Sequence, residues 1–323
     1  MLIVGAVTLL VGCLRPENRP PIAHFDATPR EGYAPLSVTL DASQTYDPDE
    51  DALQFTWAFG NGESAEGRSI DHTFYEGEHV ITLTVTDAHG ASDTDTATII
   101  ARSVPEGFVV RHYTWVRAGE VHEWDALLPY SLYQTYRGRI RTPLVDNYDY
   151  GIYVLDPLDD PTLEDLAGVL WNLVHGSREA FIEMVLAFVQ GAIDYQRDPA
   201  GKEWPLYPIE TLVDGVGDCE DTAILLVSLL RAEGVGSTLA SVDTDDDSTP
   251  DHVLVLVPVT AAHAGELQCT GGASLTILAL DGTDYAVAET VVASGELGLG
   301  CDPWNLQVED VIETWSFDEG GGG

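Results

Sequence analysis

The stretch from Tyr207 to Val235 constrains this chain more than any other. Gly215 and Gly217 make a turn that delivers Asp218 and Cys219 to the start of an apolar run. Ile224, Leu225, Val227, Leu229 and Leu230 give that run a buried helical face, and Gly234 is a natural stop. A cysteine at a helix N-terminus meets unpaired backbone N–H groups and the positive end of the helix dipole, both of which favour the thiolate. Asp218, Glu220 and Asp221 crowd the same thiol and act in the opposite sense. Taken alone, such a cysteine is a buried structural residue. A histidine and a carboxylate on strand-like runs downstream turn it into a candidate nucleophile.

Composition narrows the class. A length of 323 residues suggests two domains, and a hydrophobic fraction of 45% is a globular value. Acidic residues number 54 against 14 basic ones, for a formal net charge of -40. Lys202 is the only lysine. Dispersed acids of this kind make a solvated surface whose self-repulsion salt screens. Nucleic acid is excluded as a partner, because no basic patch exists to release counterions from phosphates.

The first thirteen residues are an apolar run ending at Cys13, much shorter than the ~20 residues of a membrane-spanning helix. The run resembles a lipoprotein signal, with Leu10-Val11-Gly12-Cys13 as its lipobox, although no Lys or Arg precedes it. By that resemblance Cys13 carries a lipid anchor to a membrane, and the protein is exported to a cell-surface or membrane-anchored position. In an oxidising compartment Cys269 and Cys301, which flank a Gly-rich segment, are natural disulfide partners. Cys219 is then left as a free thiol.

Residues 14–20 read as a short linker. From Pro21 to about Arg102 the pattern is all-β. Alternating runs at Leu36–Leu40, Leu53–Trp57 and Val80–Val85 are separated by turn clusters such as Asp47-Pro48-Asp49 and Gly60-Asn61-Gly62. That spacing predicts a β-sandwich. Ala34-Pro35-Leu36, Leu40-Asp41-Ala42-Ser43, Tyr46-Asp47-Pro48-Asp49, Trp57-Ala58-Phe59-Gly60-Asn61-Gly62, His72-Thr73-Phe74 and Leu83-Thr84-Val85-Thr86-Asp87 resemble a PKD domain, an immunoglobulin-like module. Its role is most simply spacing or adhesion. Asp47, Asp49 and Asp51 offer hard oxygen donors for calcium, but a solvated acidic turn accounts for them more simply.

Beyond Val104 the character is mixed. Phe108–Val116 and Glu120–Leu127 read as strands joined at Ala118-Gly119. A helix is expected from Asp160, as cap, to about Val174, with Pro161 in its first turn. A second is expected from Ser177 to about Tyr195, with Phe181, Met184, Val185, Phe188 and Val189 as core. After the Cys219 helix, His252 opens an apolar strand-like run to Val257, and Glu289 closes another that begins at Tyr285. The segment 261–273 reads as an insertion loop held by the Cys269 bridge. The end, 316–323, is an acidic, Gly-rich tail.

Thiol, imidazole and carboxylate in that setting are the components of a cysteine acyl-transfer enzyme. The thiolate attacks a carbonyl carbon. The imidazole takes the thiol proton and later protonates the leaving amine, while the carboxylate orients the imidazole. The backbone N–H of Cys219 contributes to an oxyanion hole, and Trp204, Tyr207 and Gln196 are candidates for substrate contact or oxyanion support. The order Cys, His, acid resembles the transglutaminase-like superfamily of the papain-like fold, over about 104–315. The resemblance is sharpest at Tyr207-Pro208-Ile209-Glu210-Thr211-Leu212, Gly217-Asp218-Cys219-Glu220-Asp221-Thr222 and Tyr285-Ala286-Val287-Ala288-Glu289-Thr290. It implies Cys219 as nucleophile, His252 as general base and acid, and Glu289 as orienting acid. This chain departs from the family in following the histidine with Val253-Leu254 rather than with a small residue and tryptophan. Its third member is Glu rather than the commoner Asp.

The expected architecture is therefore multidomain: a signal (1–13), a linker (14–20), an all-β PKD sandwich (21–102), an α+β transglutaminase-like domain (104–315) and a tail (316–323). The expected activity is acyl transfer or hydrolysis on peptide or glutamine-type amides, with a protein or peptide as substrate. No cofactor or metal centre is expected, since Cys and His lack any short paired-ligand spacing. A cell-surface adhesion or scaffold protein without catalysis is the alternative. Nothing in the chain specifies an oligomeric state.

Overall fold

Leu36, Val38 and Leu40 are buried while Ser37 and Thr39 between them face water, the period of a strand with one face on a core. The same alternation buries Ala97, Ile99 and Ala101 further on. These strands belong to the first of two units, residues 1–104 and 105–323, in a computed structural model of the protein. The structure describes residues 17–139, 149–198, 204–245, 247, 249–269, 273–292 and 297–317. Cys13, the lipobox and the Gly-rich end of the tail lie outside the described residues.

The first unit has strands β1 (Asp26–Thr28), β2 (Glu31–Tyr33), β3 (Leu36–Asp41), β4 (Gln54–Ala58), β5 (Ser64–Glu66), β6 (Ser69–Phe74), β7 (Gly77–Thr86) and β8 (Ser92–Arg102). They form two sheets, ordered β1-β3-β6 and β2-β8-β7-β4-β5. Trp57 is fully buried in this unit's core, edge-on to Phe25 at 5.0 Å, and its indole N–H is satisfied by the Gly67 carbonyl at 2.8 Å. The sandwich expected from the turn spacing is the fold observed. The acidic turn differs in detail from its sequence pattern. Asp49 is drawn to Arg19 at 2.6 Å, and that hydrogen bond holds its carboxyl below the usual range. The oxygens that converge are those of Asp47, Asp51 and Asp87. Asp47 accepts the N–H groups of Asp49 and Asp51, and Asp87 those of His89 and Ala91, so turn geometry accounts for both.

The second unit begins with a hairpin, β9 (Phe108–Arg117) and β10 (Glu120–Pro129), followed by helices α1 (Tyr130–Arg137), α2 (Gly151–Val154), α3 (Asp160–Leu173) and α4 (Arg178–Ala192). Asp159, not Asp160, precedes the first turn of α3 and makes no side-chain cap bond there. The helix α4 is capped by Ser177, which accepts from the Ala180 N–H. It stops short of Tyr195, because Asp194–Tyr195 turns extended as β11 and pairs parallel with β12 (Val216–Gly217). Between them, α5 (Pro208–Asp214) ends at Gly215, whose φ of 71° is the left-handed stop that glycine adopts freely. The helix α6 (Cys219–Ala232) follows and is closed by Gly234.

The central sheet takes strands β13 (Ser237–Val242), β14 (His252–Pro258), β16 (Ile277–Leu280), β17 (Thr283–Ala288) and β19 (Val311–Phe317), in the order β16-β17-β14-β13-β19. The short α7 (Ala261–Ala264) lies within the expected insertion, and β15 (Ser274–Leu275) pairs with β18 (Cys301–Asp302). On one face Leu239, Val253, Val255, Val257, Ala286 and Ala288 join the core that contains α6. On the other, Ala240, Val242, Leu254, Leu256 and Val287 pack with Leu306. Burial on both faces is the reason the run after His252 is continuously apolar rather than alternating.

Candidate active site

Gly217 sets the approach to Cys219. A Cβ there would lie 2.7 Å from the Asp221 Cβ, so the turn closes against α6 only because the residue has no side chain. Asp221, in the first turn of α6, accepts the N–H of Asp218 at 3.2 Å and that of Leu206 at 2.6 Å. This ties two segments that precede Cys219, one before α5 and one before α6, to the first turn of its helix. Burial and the neighbouring Asp218 push the Asp221 carboxyl well above its usual range.

The Cys219 thiol is partly buried and donates to the Glu220 carboxylate at 3.3 Å. Burial, first, and the Glu220 charge, second, raise its pKa, with Asp218 adding to the effect. The backbone N–H of Val253, the residue after His252, opposes them by favouring the thiolate. The acidic crowding expected from the sequence is thus realised, mainly through Glu220. Oxygens of Asp198, Asp218 and Glu220 come within 4.8 Å of one another. They are donors of the kind a hard cation takes, though an acidic cluster alone specifies no ligand.

His252 and Glu289 meet at 2.9 Å, imidazole Nε2 to carboxylate Oε2. The imidazole is 11% exposed and the carboxylate fully buried. The second oxygen of Glu289 accepts the Val291 N–H at 2.5 Å, and its backbone carbonyl accepts from the Gln190 side chain at 2.6 Å. The helix and the strands are tied together beside the site, for the Thr222 and Thr290 hydroxyls share a hydrogen bond at 2.8 Å. The thiol makes no hydrogen bond to the imidazole among the described residues; its partner is Glu220. The structure thus joins the base and acid candidates by one hydrogen bond, with Cys219 at the helix start close to the beginning of β14.

The remaining candidates have different placements. Gln196 is exposed and donates its backbone N–H to the Gly217 carbonyl at 2.9 Å, beside the turn that precedes Cys219. Trp204 is connected to that turn through Asp198, which accepts the Trp204 N–H at 2.6 Å and donates its own to Asp218 at 3.3 Å. Tyr207 is buried against Tyr136 and Tyr153, with Arg139 over its ring, so its aromatic face is engaged in packing. Cys269 and Cys301 are joined as a disulfide, as expected. Of the other histidines in this unit, His122 stacks on Trp115 and His263 lies on α7.

Two features had no signal in the local sequence pattern. Trp304 lies against the His252 ring, with centroids 4.5 Å apart. Gln190 bridges the backbones of Glu289 and Leu297 from the far helix α4. Spacing along the chain links neither of them to His252 or Glu289.

Residues 18–101 match the PKD domain family, and residues 175–274 match the transglutaminase-like superfamily. Among solved structures, the PKD1 domain of Epp from Vibrio anguillarum is 30% identical over 27% of this chain and 99% of its own, with a TM-score of 0.24. A candidate protease from Parabacteroides distasonis is 12% identical, covering 85% of this chain and 70% of its own, with a TM-score of 0.28. A candidate cysteine protease from Cytophaga hutchinsonii is 11% identical, covering 94% and 79%, with a TM-score of 0.27. No curated protein matches the chain.

Proposed function

From a chain that carries a PKD domain followed by a transglutaminase-like domain, we infer an exported cysteine enzyme that acts on peptide or glutamine-type amides. The observation that carries this inference is the buried His252–Glu289 pair at 2.9 Å, beside a free cysteine at the start of α6. In the proposed reaction the Cys219 sulfur attacks the amide carbon while His252 accepts the thiol proton. Glu289 holds the imidazole through Nε2 and stabilises its charged form. Backbone N–H groups at the start of α6 face the developing oxyanion, and Gln196 is positioned beside them. The C–N bond then breaks, His252 returns its proton to the leaving amine, and a thioester remains. Water releases the acid in a peptidase, and a primary amine forms a new amide in a cross-linking enzyme.

The raised thiol pKa means that the resting sulfur is protonated, so proton transfer to His252 accompanies attack. The same feature, together with the thiol's hydrogen bond to Glu220, favours the competing idea of an adhesion or scaffold protein with an inert site. A disulfide and a PKD module fit an extracellular setting. The anchor at Cys13 is part of the same proposal, with the PKD module as spacer or adhesion element.

The test is labelling by a thiol-directed electrophile, followed by mass spectrometry of the Cys219 peptide. Modification there, together with loss of thioester formation in Cys219→Ala and its retention in Cys269→Ala, is the expected result. Equal activity in Cys219→Ala refutes the assignment.

A further inference from the structure

His252 opens β14, and the ring that covers it comes from neither of the flanking strands, β13 and β17. Trp304 lies with its ring 4.5 Å from the imidazole centroid, inclined at 52°. Trp304 itself is 37% exposed, while the imidazole is 11% exposed and Glu289 not at all. The indole is therefore a cover with one side in water and the other on the histidine.

Its backbone is held firmly for a surface residue. Asp302 is 1% exposed and accepts the Trp304 N–H at 2.8 Å through one oxygen and the Leu306 N–H at 2.5 Å through the other. Before the turn, Cys301 is paired with Leu275 across β15 and β18 and is linked to Cys269. After it, Leu306 is buried in the core on the outer face of the sheet. A buried acidic side chain thus organises a turn whose outermost member rests on the catalytic candidate.

We propose that Trp304 is the positioning residue for His252, fixing the imidazole plane and keeping water from its bond to Glu289. Excluding water lowers the local dielectric and strengthens a charge-assisted hydrogen bond. The apolar wall also limits rotation of the ring, so that Nε2 stays on Glu289 and Nδ1 is the nitrogen left for proton transfer. The inference rests on His252 serving Cys219, but its structural part is measurable without catalysis.

Two readouts on the full chain test it. The first is exchange with water of the imidazole Nε2 proton, followed by nuclear magnetic resonance. The second is hydrolysis of p-nitrophenyl acetate, a small activated ester that needs no knowledge of the natural substrate. In Trp304→Ala the imidazole proton should exchange at least about tenfold faster, and kcat should fall about tenfold with KM little changed, the size expected for one lost orienting contact. Trp304→Phe should restore most of both. Unchanged exchange and unchanged kcat in a folded Trp304→Ala protein overturn the proposal. If Cys219→Ala hydrolyses the ester as the natural protein does, the catalytic assignment fails, and the imidazole exchange alone decides the role of Trp304.

Discussion

Replacing Glu220 by Gln removes a negative charge whose oxygen is 3.3 Å from the Cys219 sulfur. Two unit charges at that distance repel by about 1.3 kcal/mol in water and about 5 kcal/mol at an effective dielectric of 20. The lower figure is the floor for a pair this close, and it corresponds to about a tenfold rise in thiolate fraction at a given pH. Thiolates of lower pKa are intrinsically weaker nucleophiles, which returns roughly half of that gain on a logarithmic scale. The alkylation rate of Cys219 by iodoacetamide at neutral pH should therefore rise about threefold in Glu220→Gln, and its pH profile should move to lower pH. Gln preserves the volume of a side chain that is 3% exposed, so the fold should survive. The rate is followed on the Cys219 peptide alone, since Cys269 and Cys301 are oxidised. An unchanged or slower rate in a variant with an unaltered melting temperature would show that Glu220 does not set the thiol's acidity.

Gly217→Ala should cost roughly 1–3 kcal/mol by overpacking, because its methyl would lie 2.7 Å from the Asp221 Cβ; urea unfolding measures this, and ester hydrolysis should drop with it. Gly215→Ala, with no atom within 4 Å of the added methyl, should cost only the ~1 kcal/mol of a left-handed backbone. Asp159 is 1% exposed, and burial pushes its carboxyl up to about 6. A folded-state pKa above the unfolded value means that the native state holds the proton more tightly. This contribution to stability is present below pH ~4 and is lost as the pH rises through about 6. Asp159→Asn should therefore match the natural protein near pH 4 and exceed it by roughly 2–3 kcal/mol near pH 8, measured by urea unfolding at both. A gain of equal size at both pH values would rule out the titration as its source.

Local chemistry made much of this protein legible in its sequence. Alternation at Leu36–Leu40 and turn residues between runs specify a sandwich, because a strand with one wet face must repeat every second residue. Gly215, Gly217 and Asp218 mark the start of α6, and the apolar spacing that follows marks its buried face, since caps and periodicity are written within a few residues of one another. Free and paired cysteines could be sorted from compartment and company. Packing decided the rest. The tyrosine Tyr207 reads as a site residue beside Cys219 but is enclosed by Tyr136 and Tyr153, which no spacing along the chain reveals. Asp49 reads as a member of an acidic trio but turns to Arg19, leaving Asp87 in its place. The bond between His252 and Glu289 depends on the pairing of β14 with β17, and the contact of Trp304 with His252 on a turn organised by Asp302. Residue type and spacing can nominate groups capable of a reaction. Which of them touch is set by strand register and by side chains arriving from distant turns, where the free energy belongs to the whole packed assembly rather than to any one segment.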